Sequence, residues 1–86
     1  MNEWEFLAVV TDIREESRAE GRQRWQVSLD RTEFGAEGDR GVLVAVARNG
    51  ARLEIAVIGV VEDAGETWHV VEKPLGVGTA VRGRVG

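Results

Sequence analysis

Apolar residues recur at every second position in several short runs of the chain, and glycine and charged residues separate these runs. The clearest run covers residues 23–29, where the apolar residues are Trp25, Val27 and Leu29 and the others are polar. When apolar residues repeat at every second position of a β-strand, they all project from the same face of it. The pattern therefore predicts a strand with its apolar face on the core and its polar face in water.

The run from residue 4 to residue 13 predicts another strand, and the middle of this strand is apolar on both faces. The first face carries Trp4, Phe6, Ala8 and Val10, and the second carries Leu7 and Val9. An antiparallel sheet in so small a protein covers only one face by itself. The second apolar face must therefore be buried against something outside this sheet.

Charged residues between positions 14 and 21 interrupt this strand pattern. Asp12 followed by Glu15 matches a helix capping box, and Gly21 can end a helix, so one short helix near residues 12–21 is an alternative. Such a helix would be polar on nearly every side and would gain little from packing. A charged loop is the favoured interpretation.

The pair Asn49-Gly50 stands between two apolar runs and predicts a β-hairpin. Both residue types tolerate the positive φ angles of a type I′ turn. A two-residue loop then sets the register, with Val46 opposite Leu53. The core face of this hairpin would consist of six branched aliphatic residues: Val42, Val44, Val46, Leu53, Ile55 and Val57.

A second hairpin is predicted at Ala64-Gly65, and a short final strand at residues 79–85. A two-residue loop at Ala64-Gly65 places Val61 opposite Trp68 and Gly59 opposite Val70. Trp68 and Val70 then face the core. In the final strand the inward residues are Val81 and Val85, and the outward residues are Arg82 and Arg84.

Together these elements predict an all-β fold with about six strands in a mostly antiparallel meander. The 86 residues are too few for two independent cores, so we expect one domain over residues 1–86. A sheet in so short a chain must curl to bury its apolar face. The expected architecture is a small barrel or a compact sandwich.

Composition narrows the chemistry that this fold can carry. The chain has no cysteine and one histidine, which excludes disulfides, thiolate metal sites and multi-histidine sites within one chain. We therefore expect neither a metal nor a cofactor. The net charge of −4, the acidic first residues and the lack of a long apolar run indicate a cytoplasmic protein that does not bind membranes.

Hydrophobicity on both faces of the strands is the feature that best predicts function. The expected outer apolar face contains Leu7, Val9, Leu43, Ala45, Ala56, Ile58 and Val60. A second copy would cover this face and also stabilise a core that is marginal at this length. We expect a homodimer that serves as a non-catalytic interaction or accessory module of a bacterial or phage system, with a protein partner as another possible cover.

An alternative is a small enzyme or small-molecule binder with a pocket at the dimer interface. Glu54 projects among apolar neighbours in the predicted hairpin, where a carboxylate can act as a base. His69 titrates near neutrality, lies on the predicted outer face and has Glu72 nearby as an acid-base partner. These three are the candidate catalytic residues.

A further alternative is a barrel that binds single-stranded nucleic acid. Such barrels stack bases on aromatic side chains next to basic residues. Here Trp25 points inward, and Arg24, Arg82 and Arg84 point outward, so the stacking surface is missing and the sequence argues against this function. The three arginines remain candidates for contact with an anion or a partner.

Overall fold

Seven antiparallel strands make up most of the protein. The structure is a computed structural model that describes residues 5–19, 21–35, 38–46 and 49–86. Its strands are β1 (Glu5–Ala19), β2 (Arg22–Leu29), β3 (Gly41–Val46), β4 (Arg52–Val57), β5 (Gly59–Asp63), β6 (Glu66–Val71) and β7 (Ala80–Val85). The described residues contain no helix. The predicted all-β class is confirmed.

The sheet closes into a barrel because β4 and β5 act as one bent strand. The strand order is β4-β3-β7-β1-β2-β6-β5, so β4 and β5 lie at opposite ends of the sheet. Only Ile58 separates them, and its N–H donates to the carbonyl oxygen of Val70 on β6 at 3.0 Å. The bent strand therefore joins both ends of the sheet. The result is a closed, six-stranded antiparallel barrel, which confirms the barrel and not the sandwich.

With β4 and β5 taken as one bent strand, the predicted meander holds from β3 to β6, since β3 pairs with β4 and β5 pairs with β6. β1 and β2 also pair as neighbours along the chain. The remaining strands close the barrel by long connections, since β7 pairs with both β3 and β1, and β2 pairs with β6. A fourth strand that returns beside the first of three consecutive strands is a Greek key. Hydrophobic patterning identifies strands but carries no direct signal for such distant partners.

Residues 12–19 belong to β1, so both predictions for the charged segment are wrong: it is neither a helix nor a loop. This part of β1 pairs with β2 from Asp12 opposite Ser28 to Ala19 opposite Arg22, with one register shift between Glu15 and Ser17. Glu15 and Glu16 are exposed. A strand exposed on both faces has no apolar side, and therefore shows no hydrophobic period by which to recognise it.

The core fills the barrel with the residues that alternation assigned to it in β1 and β2. Phe6, Ala8 and Val10 are buried, Leu7 and Val9 are exposed, and Trp4 lies outside the described residues. In β2, Val27 is buried, and Trp25 and Leu29 pack against the core. Two further core residues, Phe34 and Leu75, come from segments between strands.

A glycine opposite Phe6 makes room for this ring inside the narrow barrel. Phe6 pairs with Gly83 of β7, and a Cβ atom at Gly83 would lie 2.3 Å from the Phe6 ring. The Phe6 ring also meets Phe34 edge to face, with 5.9 Å between the centroids. The close approach of ring and backbone requires glycine at position 83.

The β3–β4 hairpin differs from its prediction by one residue. Val46 pairs with Arg52 and Ala45 with Leu53, where the prediction had Val46 opposite Leu53. This register does not fit a two-residue loop at Asn49-Gly50, and the Asn49 side chain accepts a hydrogen bond from the Ala51 N–H. A slip of one residue moves a whole strand to its other face. Leu43 and Ala45 are therefore buried, whereas Val46 and Leu53 are exposed.

The β5–β6 hairpin has the predicted register but the opposite orientation. Val61 pairs with Trp68 and Gly59 with Val70, and both turn residues have positive φ angles (Ala64, 52°; Gly65, 81°). The residue that faces the core, however, is His69, which lies between Val27 and Val60. Trp68 and Val70 are buried from the other side, so the prediction that they face the core is wrong.

Candidate functional site

The outward side chains of β1, β7, β3 and β4 form a surface that we call the outer sheet face. Paired residues of neighbouring strands project to the same side and order this surface in rows. The first two rows are Glu5, Arg84, Val42 and Ala56, then Leu7, Arg82, Val44 and Glu54. The next outward positions hold two separate pairs, Val9 with Ala80 and Val46 with Arg52. None of these side chains is buried. Aliphatic residues and arginines thus share one face.

An apolar groove of about 400 Å³ runs across this outer sheet face. Its aliphatic lining includes Leu7 and Val46, whose exposed fractions are 63% and 58%. Arg52 and Arg82 lie along its sides. Isolated exposed aliphatic residues are common, but a groove built from several of them is typical of an interaction surface.

The charges of the outer sheet face are free to meet a partner. Between described residues, the one ion pair shorter than 4.0 Å joins Arg14 to Asp63, and neither residue belongs to this surface. Arg52, Arg82 and Arg84 therefore have no acidic partner in the part of the chain that the structure describes. Arginine forms planar, two-pronged contacts with carboxylates.

The seven residues predicted as one apolar face divide between the inside and the outside of the barrel. Leu43, Ala45 and Val60 are in the core, and Ile58 is half-buried at the bend between β4 and β5. The exposed members are Leu7, Val9 and Ala56. This corrects the predicted set: the one-residue slip in β3 moves the valines outward in place of Leu43 and Ala45.

His69 is fully buried, which corrects its predicted place on the outer face. Its Nδ1 lies 2.8 Å from the carbonyl oxygen of Val27, and its Nε2 lies 2.7 Å from Thr32 Oγ1. A carbonyl only accepts, so Nδ1–H donates to Val27 and Nε2 accepts from the Thr32 hydroxyl. The Phe34 N–H completes the chain by donating to Thr32 Oγ1 at 3.0 Å.

This network holds His69 neutral and ties the segment after β2 to the barrel. Burial lowers the pKa of His69 from its ordinary value of 6.5, and the hydrogen bond to Val27 only partly opposes that shift. The Phe34 ring also meets the imidazole edge to face, with 5.2 Å between the centroids. Both imidazole nitrogens are occupied and no part of the ring reaches solvent. The histidine therefore serves packing rather than proton exchange with a dissolved substrate.

The other two candidate catalytic residues lie together, but away from His69. Glu54 and Glu72 are exposed and line a shallow hollow of about 240 Å³ with Lys73. Glu54 belongs to the outer sheet face and is not enclosed by apolar neighbours. The predicted pairing of His69 with Glu72 is absent, since His69 points into the barrel.

A second hollow, which we call the basic cleft, lies on the half of the barrel formed by β2, β6 and β5. It measures about 660 Å³, and its charged lining is Glu16, Arg22, Arg24, Arg40 and Glu72. Its remaining lining is Gly38, Ile58, Gly59, Val60, Val61 and Val70. Arg24 thus lies on a different surface from Arg82 and Arg84. Sequence reasoning missed Arg40, and the one available signal for the cleft was a glycine, Gly59, inside an apolar strand.

Comparison with models of known protein families and with curated proteins found no match to this chain. The outer sheet face and the basic cleft are therefore interpreted from this chain's own residues.

Two structural observations bear on other classes of function. No three histidine or acidic side chains among the described residues are grouped so that they could hold a metal ion. In the same residues, no helix is long and apolar enough to cross a membrane.

Proposed function

We propose that this protein is a non-catalytic interaction module that forms a homodimer through its outer sheet face. The observation that carries the proposal is the apolar groove of about 400 Å³, in which Leu7 and Val46 are more than half exposed. Burial of such aliphatic side chains provides about 25 cal/mol for each Å² removed from water. A second copy of the chain is the occupant that the charges of the surface favour.

The outer sheet face carries both positive and negative residues, so one copy of this face can pair with a second copy. Two arginines, Arg82 and Arg84, lie on β7 in the middle of the face, while Glu5 and Glu54 lie on the flanking strands β1 and β4. A two-fold interface brings each patch against its own copy, so a central cation can meet a flanking carboxylate of the second copy. The aliphatic rows then pack on each other between these contacts.

The size of this face predicts a weak dimer. The two rows and the two pairs beyond them, across four strands, span roughly 20 Å by 20 Å, or about 400 Å². Stable complexes bury about 800 Å² on each partner, so an interface of half that size dissociates on dilution. We therefore expect a fast equilibrium between monomer and dimer.

Sedimentation velocity across roughly 10 µM to 1 mM protein tests the proposal, because this range brackets a weak dissociation constant. The average mass is expected to rise from that of a monomer towards that of a dimer. Leu7→Glu is expected to hold the protein monomeric throughout, since it places a charge in the apolar groove.

Val77→Glu is the matched control, because Val77 is 64% exposed but lies between β6 and β7, outside the groove. This variant is expected to dimerise as the unaltered chain does. If the unaltered chain stays monomeric at the highest concentration, the proposal is contradicted. If Leu7→Glu and Val77→Glu lose the dimer equally, the interface is not the outer sheet face.

A further inference from the structure

The basic cleft brings together three arginines from two separate parts of the chain. Arg22 and Arg24 are two positions apart on β2, which places them on the same face about 7 Å apart. Arg40 reaches the cleft from the segment that precedes β3. Three guanidinium groups around one hollow form a concentrated positive charge in a protein whose net charge is −4.

Two acids, Glu16 and Glu72, also line the cleft, but neither forms an ion pair with these arginines. None of the three forms an ion pair with a described residue, and all are exposed. Glu16, at the edge of the cleft, already accepts a hydrogen bond from Gln26 Nε2 at 2.7 Å. Gln26 is in turn held by Arg14, whose Nε donates to Gln26 Oε1 at 2.8 Å. The guanidinium groups are thus left available for an external anion.

The floor of the cleft is apolar and is kept open by Gly59. Gly59 pairs with Val70, and cross-strand partners share a face, so a side chain at position 59 would project into the cleft beside Val70. A Cβ atom there would meet no other atom within 4 Å, and the φ angle of Gly59 does not lie in the left-handed region. Space, rather than backbone conformation, is therefore what this glycine provides.

We propose that the basic cleft binds a small organic phosphate, with the phosphate between Arg24 and Arg40 and the organic part over Gly59 and Val70. Guanidinium groups bind phosphate oxygens through paired, charge-assisted hydrogen bonds. A hollow of about 660 Å³ lies within the usual range for small-molecule sites. The apolar floor distinguishes this ligand class from inorganic phosphate, which has nothing to place there. This site is separate from the proposed dimer face.

Titration with ATP, followed by amide chemical shifts of the full chain, tests this site. Saturable binding is expected, with the largest shifts at Gly59, Val70 and Arg24. Inorganic pyrophosphate is the second probe and is expected to bind at least tenfold more weakly, because it leaves the floor uncovered. Equal affinity for both probes would overturn the role of the floor, and no saturable binding of either would overturn the site.

Four variants locate the bound molecule. Arg24→Gln and Arg40→Gln are each expected to weaken ATP binding about tenfold, as the loss of a charge-assisted contact does. Arg31→Gln, at an exposed residue outside both the cleft and the outer sheet face, removes the same charge elsewhere and is expected to leave binding unchanged. Gly59→Leu keeps every charge but fills the cleft, and is expected to abolish binding of ATP.

The outcomes separate this site from non-specific attraction. If Arg31→Gln weakens binding as much as Arg24→Gln does, the anion is held only by general charge and the proposal is wrong. If Gly59→Leu binds ATP normally, the ligand lies outside the cleft. Unaltered amide spectra of the unliganded variants serve as the folding control, and sedimentation of the same samples reports separately on the dimer.

Discussion

The two hairpins of this barrel, β3–β4 and β5–β6, were both expected to have a two-residue turn, and each differs from that expectation in its own way. In β5–β6 the register is the one that a two-residue turn dictates, yet the histidine and not the tryptophan faces the core. In β3–β4 the register slips by one residue, which exposes Val46 and buries Leu43. Turn chemistry therefore constrains register, whereas the surroundings of each strand decide which of its faces is inside.

Which face of each strand points into the core depends on what packs against the outer side of its hairpin. Trp68 of β6 is only 6% exposed because Arg14 of the long β1 strand lies over its ring, 4.0 Å from the centroid. The outer side of β3 has no such cover, and Val46 remains exposed. A strand that is buried on both sides can place a polar residue inward, provided that its hydrogen bonds are satisfied there.

The largest expected effect tests the register of β3–β4. Leu43→Ala is expected to lower the free energy of unfolding by about 3 kcal/mol, because it opens a cavity in the core. Val44→Ala, one position along and on the outer sheet face, is expected to cost less than about 1 kcal/mol. Urea denaturation of both variants measures the difference. A larger loss for Val44→Ala would restore the register that the two-residue turn predicts.

The next largest effect concerns the buried histidine of β6. His69→Leu is expected to lower the free energy of unfolding by about 2 kcal/mol, because it removes the acceptor of the Thr32 hydroxyl proton and the imidazole donor to the Val27 carbonyl. It should also remove part of the pH dependence of stability. The pKa of His69 is lowered in the folded state, so the unfolded chain binds the extra proton first as the pH falls.

For the unaltered chain, stability is therefore expected to fall below about pH 6.5, by at most about 1.4 kcal/mol per pH unit from this group. Urea denaturation between pH 5 and pH 8 compares the two chains, since the reference pKa of histidine lies inside this window. Matching slopes for the two chains would show that His69 stays accessible to protons in the folded state.

The smallest expected effect concerns the cover of Trp68. Arg14→Met keeps most of the packing but removes the cation over the indole, the hydrogen bond to Gln26 Oε1 and the exposed ion pair with Asp63. We expect a loss of about 0.5–1 kcal/mol in the free energy of unfolding, mostly from the cation–π contact. Asp63→Asn, which removes only the ion pair, is the control and should cost less. If both variants lose the same amount, the ion pair is what matters.

The sequence predicted the core residues of this fold better than its surface sites. Alternation assigned Phe6 and Val27 to the core correctly, but it wrongly placed Gln26 and Ser28 of β2 in water, since both are buried. It failed also for β6, where both faces are buried, and for residues 14–16, which are exposed on both faces. Arg40 and Gly59 come from segments with no shared local pattern, so only the closed barrel brings them to the basic cleft.

The pairing of β1 with β7 has a consequence for the order in which this protein can be made. Glu5 pairs with Arg84, almost the whole length of the chain away, and Phe6 fits against Gly83. β7 leaves the ribosome after the other six strands, so the nascent chain carries an incomplete barrel until synthesis reaches these residues. During that interval the backbone N–H and C=O groups of β1 that later pair with β7 have no strand beside them and can pair with another chain.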